Sequence, residues 1–164
     1  MCGIAGIISP AGLPAGQLQA MAEALRHRGP DGYGYLTYRP DDAPQLHLNE
    51  PLPRNSQEQA TVGLAHRRLA IFDLSAGSLQ PMPDPSGQVW LTYNGEIYNY
   101  PEIRRELEAL GYSFSTTGDT EVLLRAYDAW GPDCVQRFVG MWAFALLDLR
   151  KQVMVLCRDR FGIK

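Results

Sequence analysis

Cysteine is scarce in this sequence, and the three residues present are poorly placed for cross-linking. Cys2, Cys134 and Cys157 are odd in number, widely spaced and include no CxxC pair. That pattern argues against a disulfide framework or a zinc site and fits a reducing compartment. His27, His47 and His66 show no ligand spacing, so they are read as structural hydrogen-bonding residues and no metal site is expected. Basic runs are lacking too: 15 Lys and Arg against 18 Asp and Glu leave a formal net charge of −3. Neither nucleic acid nor an anionic membrane is an expected partner. No apolar run approaches the ~20 residues of a transmembrane helix. Polar, Gly and Pro residues interrupt the N-terminus after Ile8, which argues against a signal peptide. A soluble, cytoplasmic protein without internal repeats, low-complexity segments or an interdomain linker is expected.

What is present is enough for one domain with a real core: 164 residues, of which 45% are apolar. The chain is organised around its first stretch, Met1-Cys2-Gly3-Ile4-Ala5-Gly6-Ile7. A small second residue permits removal of Met1, which leaves a thiol and a free α-amine on one residue. These groups titrate near about 8.5 and about 7.7–8.0, so both protonation states of each are accessible close to neutrality. An N-terminal nucleophile uses that amine as its base. Ile4, Ile7 and Ile8 read as a buried strand carrying the thiol, and the competing reading is a small buried cysteine at the start of that strand.

Leu18, Met21, Ala22 and Leu25 fall at helical spacing, and the helix ends in the polar loop Arg26-His27-Arg28-Gly29-Pro30-Asp31-Gly32. Helix end and turn explain its glycines but not its crowded charge; Arg26 and Arg28 are expected to brace the loop near Cys2, with Asp31 as counter-charge. Strands are expected at Tyr33–Tyr38, weakly at 45–49, and at 62–71. A long loop with Gly77 and three prolines occupies 73–85. The β-rich run 88–93 stops at Asn94-Gly95-Glu96, which is read either as a hairpin turn or, since no second alternating run follows, as a strand-to-helix elbow. Asn99 then N-caps a helix with Ile103, Leu107 and Leu110 on one face and Gly111 at C′. After a brief strand at 113–115, a second helix buries Val122, Leu123, Ala126, Tyr127 and Trp130. Asp119 suits its N-cap and suits a catalytic role equally. Residues 141–149 and 152–157 read as an antiparallel pair covered on both faces. Strands, helices and strands again, without βαβ alternation, indicate an α+β layered fold.

Six phrases occur in order: Cys2-Gly3-Ile4, Arg26 to Gly32, His66-Arg67-Arg68-Leu69, Tyr93-Asn94-Gly95-Glu96-Ile97-Tyr98-Asn99, Gly118-Asp119, and Arg158-Asp159-Arg160-Phe161-Gly162-Ile163. Over essentially the whole chain the sequence resembles the N-terminal glutaminase domain, a class II glutamine amidotransferase, of glutamine-hydrolysing asparagine synthetases. Amidotransferases making glucosamine phosphate or phosphoribosylamine share the Cys start, but the wording of these motifs is nearer the asparagine synthetase branch. Ala70 and Leu79 stand where that branch often carries Ser and His. The resemblance implies an N-terminal-nucleophile hydrolase-like αββα four-layer sandwich, with two antiparallel sheets between helical layers. It implies that Cys2 attacks the side-chain amide of glutamine, forms a glutamyl thioester and releases ammonia for asparagine synthesis from aspartate. It also implies that residues 1–164 are a glutaminase domain truncated at its C-terminal end. ATP and Mg are then expected only in a synthetase domain outside this chain, no cofactor is expected within it, and a homodimer stays open.

Residue chemistry supports the assignment. Arg68 suits the glutamine α-carboxylate, because its planar fork binds a carboxylate bidentately. Asp119 suits the α-ammonium and Glu96 can assist; the resemblance adds Leu69, Ile71 and Gly118 to the glutamine site. The Asn94 amide and the Gly95 backbone N–H suit the oxyanion. Cys134 and Cys157 are expected to be reduced and partly buried. Two alternatives remain: a class II amidotransferase with another acceptor, such as a sugar phosphate, and a catalytically silent glutamine-binding module.

Overall fold

The computed structural model describes residues 2–14, 16–53, 59–70 and 76–164. It divides into two compact units, residues 1–70 with 79–81 and residues 71–78 with 82–164.

The first unit is built on an antiparallel sheet of β1 (Gly3–Ile8), β2 (Gly32–Tyr38), β3 (Gln45–Leu48) and β4 (Val62–Arg68), in the order β1-β4-β2-β3. β4 is central and almost wholly buried. Among the described residues β1 is an edge strand with a partner on one side, and Ile8 is 60% exposed. The buried strand expected from Ile4, Ile7 and Ile8 is therefore half-open. Helix α1 (Gln17–Ala24) sends Leu18 and Ala22 into a cluster with Tyr35, Leu52 and Ala65, whereas Met21 and Leu25 are only half-buried. Arg67 ties this helix to β4. Its Nε donates to the Ala22 carbonyl at 3.0 Å, its guanidinium pairs with Glu23, and it lies 4.7 Å from the Tyr33 ring centroid. A cation at the last turn of the helix complements the helix dipole. The register pairs Gly3 with Arg67 and Gly32 with Arg68, so β1 and β2 both begin where β4 ends.

The second unit carries β5 (Met82–Pro83), β6 (Val89–Ile97), β7 (Gly140–Asp148) and β8 (Val153–Arg158), antiparallel and in that order. Helices α2 (Tyr100–Ala109) and α3 (Asp119–Trp130) pack on one face. The two-residue period of β6 sorts its side chains. Val89, Leu91, Tyr93 and Ile97 join Ile103 and Leu107 of α2, Val122, Leu123 and Ala126 of α3, and Trp142, Phe144 and Leu146 of β7. Asn94 and Glu96 stand on the opposite face.

Several expectations for this unit change. Residues 113–115 form no strand; side chains hold them instead. A 3-10 helix at Gly131–Arg137 was not anticipated. Leu110, at the end of α2, is 61% exposed, although Gly111 takes the expected left-handed C′ conformation at φ 94°. β7 is covered on both faces, but β8 is an edge strand and Leu156 is 71% exposed. Asn99 occupies the N-cap position of α2 without capping it. Its Nδ2 donates to the Arg137 carbonyl at 2.9 Å and its Oδ1 accepts the Val139 N–H at 2.8 Å, so the side chain prolongs the β6–β7 ladder. Among the described residues no helix is long and apolar enough to cross a membrane.

Asp159, just past β8, organises the segment after it. One carboxylate oxygen accepts the N–H groups of Phe161 and Ile163 at 3.1 and 3.0 Å; the other accepts those of Lys164 and Trp142 at 3.0 and 3.3 Å. These amides, that of Ile163 foremost, hold the Asp159 carboxyl below its usual range. A depressed carboxyl stabilises the fold above its unfolded pKa of about 3.9, and that contribution disappears as pH falls through the folded-state value. Asp159→Asn should therefore lower the melting temperature at neutral pH, and calorimetry should show the gap to wild type narrowing below about pH 4. A gap constant down to strong acid would show that the charge has no part in it.

Candidate active site

Cys2 enters the first unit immediately before β1, at the end of the sheet where β4 finishes. Its sulfur accepts the Leu69 N–H at 3.4 Å and its thiol donates to the Leu69 carbonyl at 3.7 Å. Arg28 Nε donates to the Cys2 carbonyl at 3.2 Å, which is the bracing expected of it. Arg26 does not share that role; it pairs with Glu23 at 3.4 Å on the surface. Asp31 works through the backbone rather than as the expected counter-charge. Its N–H donates to the Arg68 carbonyl at 3.0 Å and its Oδ2 accepts the Ala70 N–H at 2.9 Å. Gly29 lets this loop lie flat on β4, since a Cβ there would overlap the Arg67 carbonyl. Loop 26–32 thus fastens both Cys2 and the chain that carries its partner Leu69. Arg68 is 8% exposed, at the end of the same strand. Ile71 lies outside the described residues.

In the second unit, Asn94, Gly95 and Glu96 form neither a turn nor an elbow. β6 runs through them to Ile97, and they pair with Ala143, Trp142 and Met141 of β7. Nine consecutive pairs with β7 override the local turn preference of Asn-Gly. Glycine is required here for closeness: a Cβ at 95 would lie 2.5 Å from the Met141 carbonyl oxygen and 2.8 Å from Trp142 Cα. The ladder also aims the Gly95 amide. Successive N–H groups along a strand point to opposite sides. Tyr98 donates to Val139 beside β7, whereas Ile97 donates to Asp119. Gly95, two residues before Ile97, therefore directs its N–H away from β7. On that side β5 pairs only with Trp90 and Leu91.

Asp119 is the first residue inside α3, and Gly118 occupies the N-cap in extended conformation, so Asp119 is not the cap residue. Its Oδ2 reaches β6, where it accepts the Tyr93 hydroxyl at 2.7 Å and the Ile97 N–H at 3.0 Å. Burial pushes the Asp119 carboxyl up, against the opposing hydrogen bonds from Ile97, Tyr93 and the first-turn amides of Asp119 and Thr120. The Glu96 carboxyl is also pushed up, by burial and then by the like charge of Asp119, with Lys164 opposing. Two neighbouring carboxylates that resist ionisation make a place where an incoming cation is welcome. Sequence reasoning missed the Tyr93 hydroxyl, whose position in the alternation signals only a core residue. It also missed Glu121, whose acidic side chain at the third helical position after Ser115-Thr116 is a readable N-terminal signal.

Among the described residues, no cluster of His, Cys, Asp and Glu side chains could hold a metal ion. Both remaining thiols are free; Cys134 is buried and Cys157 half-buried, and burial, then proximity to Cys157, pushes the Cys134 thiol up to about 12. Because a side chain at 95 would press on β7, Gly95→Ala should cost roughly 1–3 kcal/mol. Urea denaturation measures this, and an unchanged midpoint would mean that β7 yields freely.

The family described as "Glutamine amidotransferase domain" matches residues 1–43 and 53–164. Asparagine synthetase [glutamine-hydrolyzing] 1 of Bacillus subtilis is 36% identical over 169 residues, covering 100% of this chain and 23% of that protein. Asparagine synthetase [glutamine-hydrolyzing] 2 of Oryza sativa subsp. japonica is 34% identical, covering 99% of this chain and 24% of that protein. The chain thus spans about a quarter of the length of these curated relatives. Among solved structures, the glutamine phosphoribosylpyrophosphate amidotransferase from B. subtilis superposes with a TM-score of 0.78 at 21% identity, covering 100% of this chain and 38% of that one. That likeness shows the fold, which is the α+β, two-sheet N-terminal-nucleophile hydrolase architecture. With its two antiparallel sheets, its second-residue cysteine and a family match over nearly all its length, the chain belongs to the glutamine amidotransferase domain family.

Proposed function

We propose that the chain hydrolyses glutamine through Cys2. The observation that carries this reading is the Cys2 sulfur held by the Leu69 main chain, at the end of the strand that carries Arg68. Once Met1 is removed, the Cys2 α-amine takes the thiol proton and the sulfur attacks the side-chain amide carbon of glutamine. The carbonyl oxygen becomes an oxyanion, met by the Asn94 side-chain amide and the Gly95 N–H. Collapse breaks the carbon–nitrogen bond, and the proton held by the amine leaves with ammonia. Water then attacks the resulting thioester and regenerates the thiol. Arg68 binds the α-carboxylate, Asp119 and Glu96 bind the α-ammonium, and Leu69, Ile71 and Gly118 line the substrate.

The ammonia serves an acceptor reaction elsewhere in a longer protein. Relatives at 34–38% identity are named for asparagine synthesis, so the acceptor reaction is the ATP-dependent conversion of aspartate to asparagine. ATP and Mg act in that further domain, and the protein is cytoplasmic. Structural likeness to an amidotransferase of a different acceptor carries only the fold, and no residue here favours a sugar phosphate.

In the full-length protein, Cys2→Ala should abolish glutamine-dependent asparagine synthesis and leave the route from added ammonia intact. Asn94→Ala should lower glutaminase kcat by about 10²–10³ with little change in KM, the usual cost of one oxyanion donor. Coupled ammonia and asparagine assays check both. Loss of the ammonia route in Cys2→Ala, or an unchanged kcat in Asn94→Ala, would defeat these roles.

A further inference from the structure

Immediately before α3 the chain has no regular structure, yet it is held by an unusual density of side-chain bonds. Glu121, 6% exposed, turns its carboxylate back from the first turn of the helix. It accepts the Ser115 N–H at 3.0 Å on either oxygen, the Ser115 hydroxyl at 3.2 Å, the Thr116 N–H at 2.7 Å and the Thr116 hydroxyl at 2.8 Å. Arg104 donates to the Thr116 carbonyl at 2.8 Å, and Arg125 donates to the Ser113 carbonyl at 2.9 Å while lying 3.8 Å from Glu121. Only Thr117 and Gly118 separate this knot from Asp119. Asp119 in turn is fixed to β6 through one oxygen, and its carboxyl also meets the first-turn amides of Asp119 and Thr120, which move with the backbone that enters α3. The second restraint on that carboxylate is the path of its own backbone, and Glu121 sets the path.

We propose that Glu121 is a positioning residue of the glutamine site: by clamping residues 115–116 it places the Asp119 carboxylate for the substrate α-ammonium. This rests on the reading that Asp119 binds that ammonium. An acceptor-only carboxylate is needed, because every neighbour is a donor. An amide at 121 would set an NH₂ against N–H and O–H groups and lose contacts on that side.

The test compares two substrates in the full-length protein: glutamine, and 4-carbamoylbutanoate, which is glutamine without its α-amino group. Glu121→Gln should raise KM for glutamine about tenfold, equivalent to about 1.4 kcal/mol of binding, with kcat within about threefold of wild type. Hydrolysis of the deamino analogue should keep its kcat/KM, because that substrate has no ammonium to misplace. A merely structural role would depress both substrates together, and that result would overturn the proposal, as would an unchanged KM for glutamine. Asp119→Asn run in parallel separates the two levels. If it fails to erase the preference for glutamine over the analogue, the ammonium assignment itself falls, and Glu121 with it. If it erases that preference while Glu121→Gln does not reduce it, only the Glu121 role falls. Should Glu121→Gln not fold, Thr116→Val removes one hydroxyl donor at nearly constant shape. It should weaken glutamine selectively and to a smaller degree, and equal constants for both substrates would overturn the proposal.

Discussion

The register of β6 on β7 is the constraint on which the polar face of the second unit depends. Pairing continues through Asn94, Gly95 and Glu96 to Ile97, and strand geometry then leaves no choice about direction. Asn94 and Glu96 must share one face, and the Gly95 amide must point sideways, away from β7. A slip of one residue would send Asn94 and Glu96 into the cluster formed with α2 and α3 and turn the Gly95 amide into the ladder. The packing of Tyr93 and Ile97 into that cluster therefore specifies the polar face as firmly as it stabilises the apolar one.

Carboxylates do much of the remaining positioning, and they do it by standing in for backbone partners. Asp31 accepts the Ala70 amide, Asp119 the Ile97 amide, Glu121 those of Ser115 and Thr116, and Asp159 those of four residues. These amides lie in irregular segments or, as with Ile97 and Trp142, within a strand, and a buried amide left without a partner is costly. An acidic side chain can turn a corner that a β-ladder cannot. Segments of irregular path can then be held as firmly as strands, which is what a binding site built from loops requires.

Much of this was legible in the amino-acid order. Cys2 ahead of a short apolar strand, the charged loop at 26–32, the two helices and the antiparallel pair at the end all stand where the patterning placed them. The misreadings share one cause, the priority of long-range pairing over local preference. Asn94-Gly95 has strong turn chemistry, but its partners Ala143 and Trp142 lie 49 and 47 residues on, and their influence is invisible in a short window. Asp119 resembles a helix cap because caps are common. What the sequence cannot display is that Tyr93 and Ile97 arrive within reach of its carboxylate. The full burial expected of β1 and β8 failed because apolar content reports hydrophobicity, whereas edge position is a property of the sheet. Arg28 was readable as a brace; the backbone role of Asp31 was not, since an aspartate among arginines looks like a counter-charge.

The attachment of the Cys2 sulfur bears on how the site tolerates genetic change. Both of its described polar partners belong to the main chain of Leu69, a group that every residue type except proline supplies in full. A substitution at position 69 can thus alter the size and shape of the side chain there without removing the main-chain groups that hold the Cys2 sulfur. Variation that lengthens or shortens the chain near that position carries no such protection, because it displaces the peptide group itself. The hold on the sulfur thus depends on the spacing of the chain around 69 and not on the letter at 69.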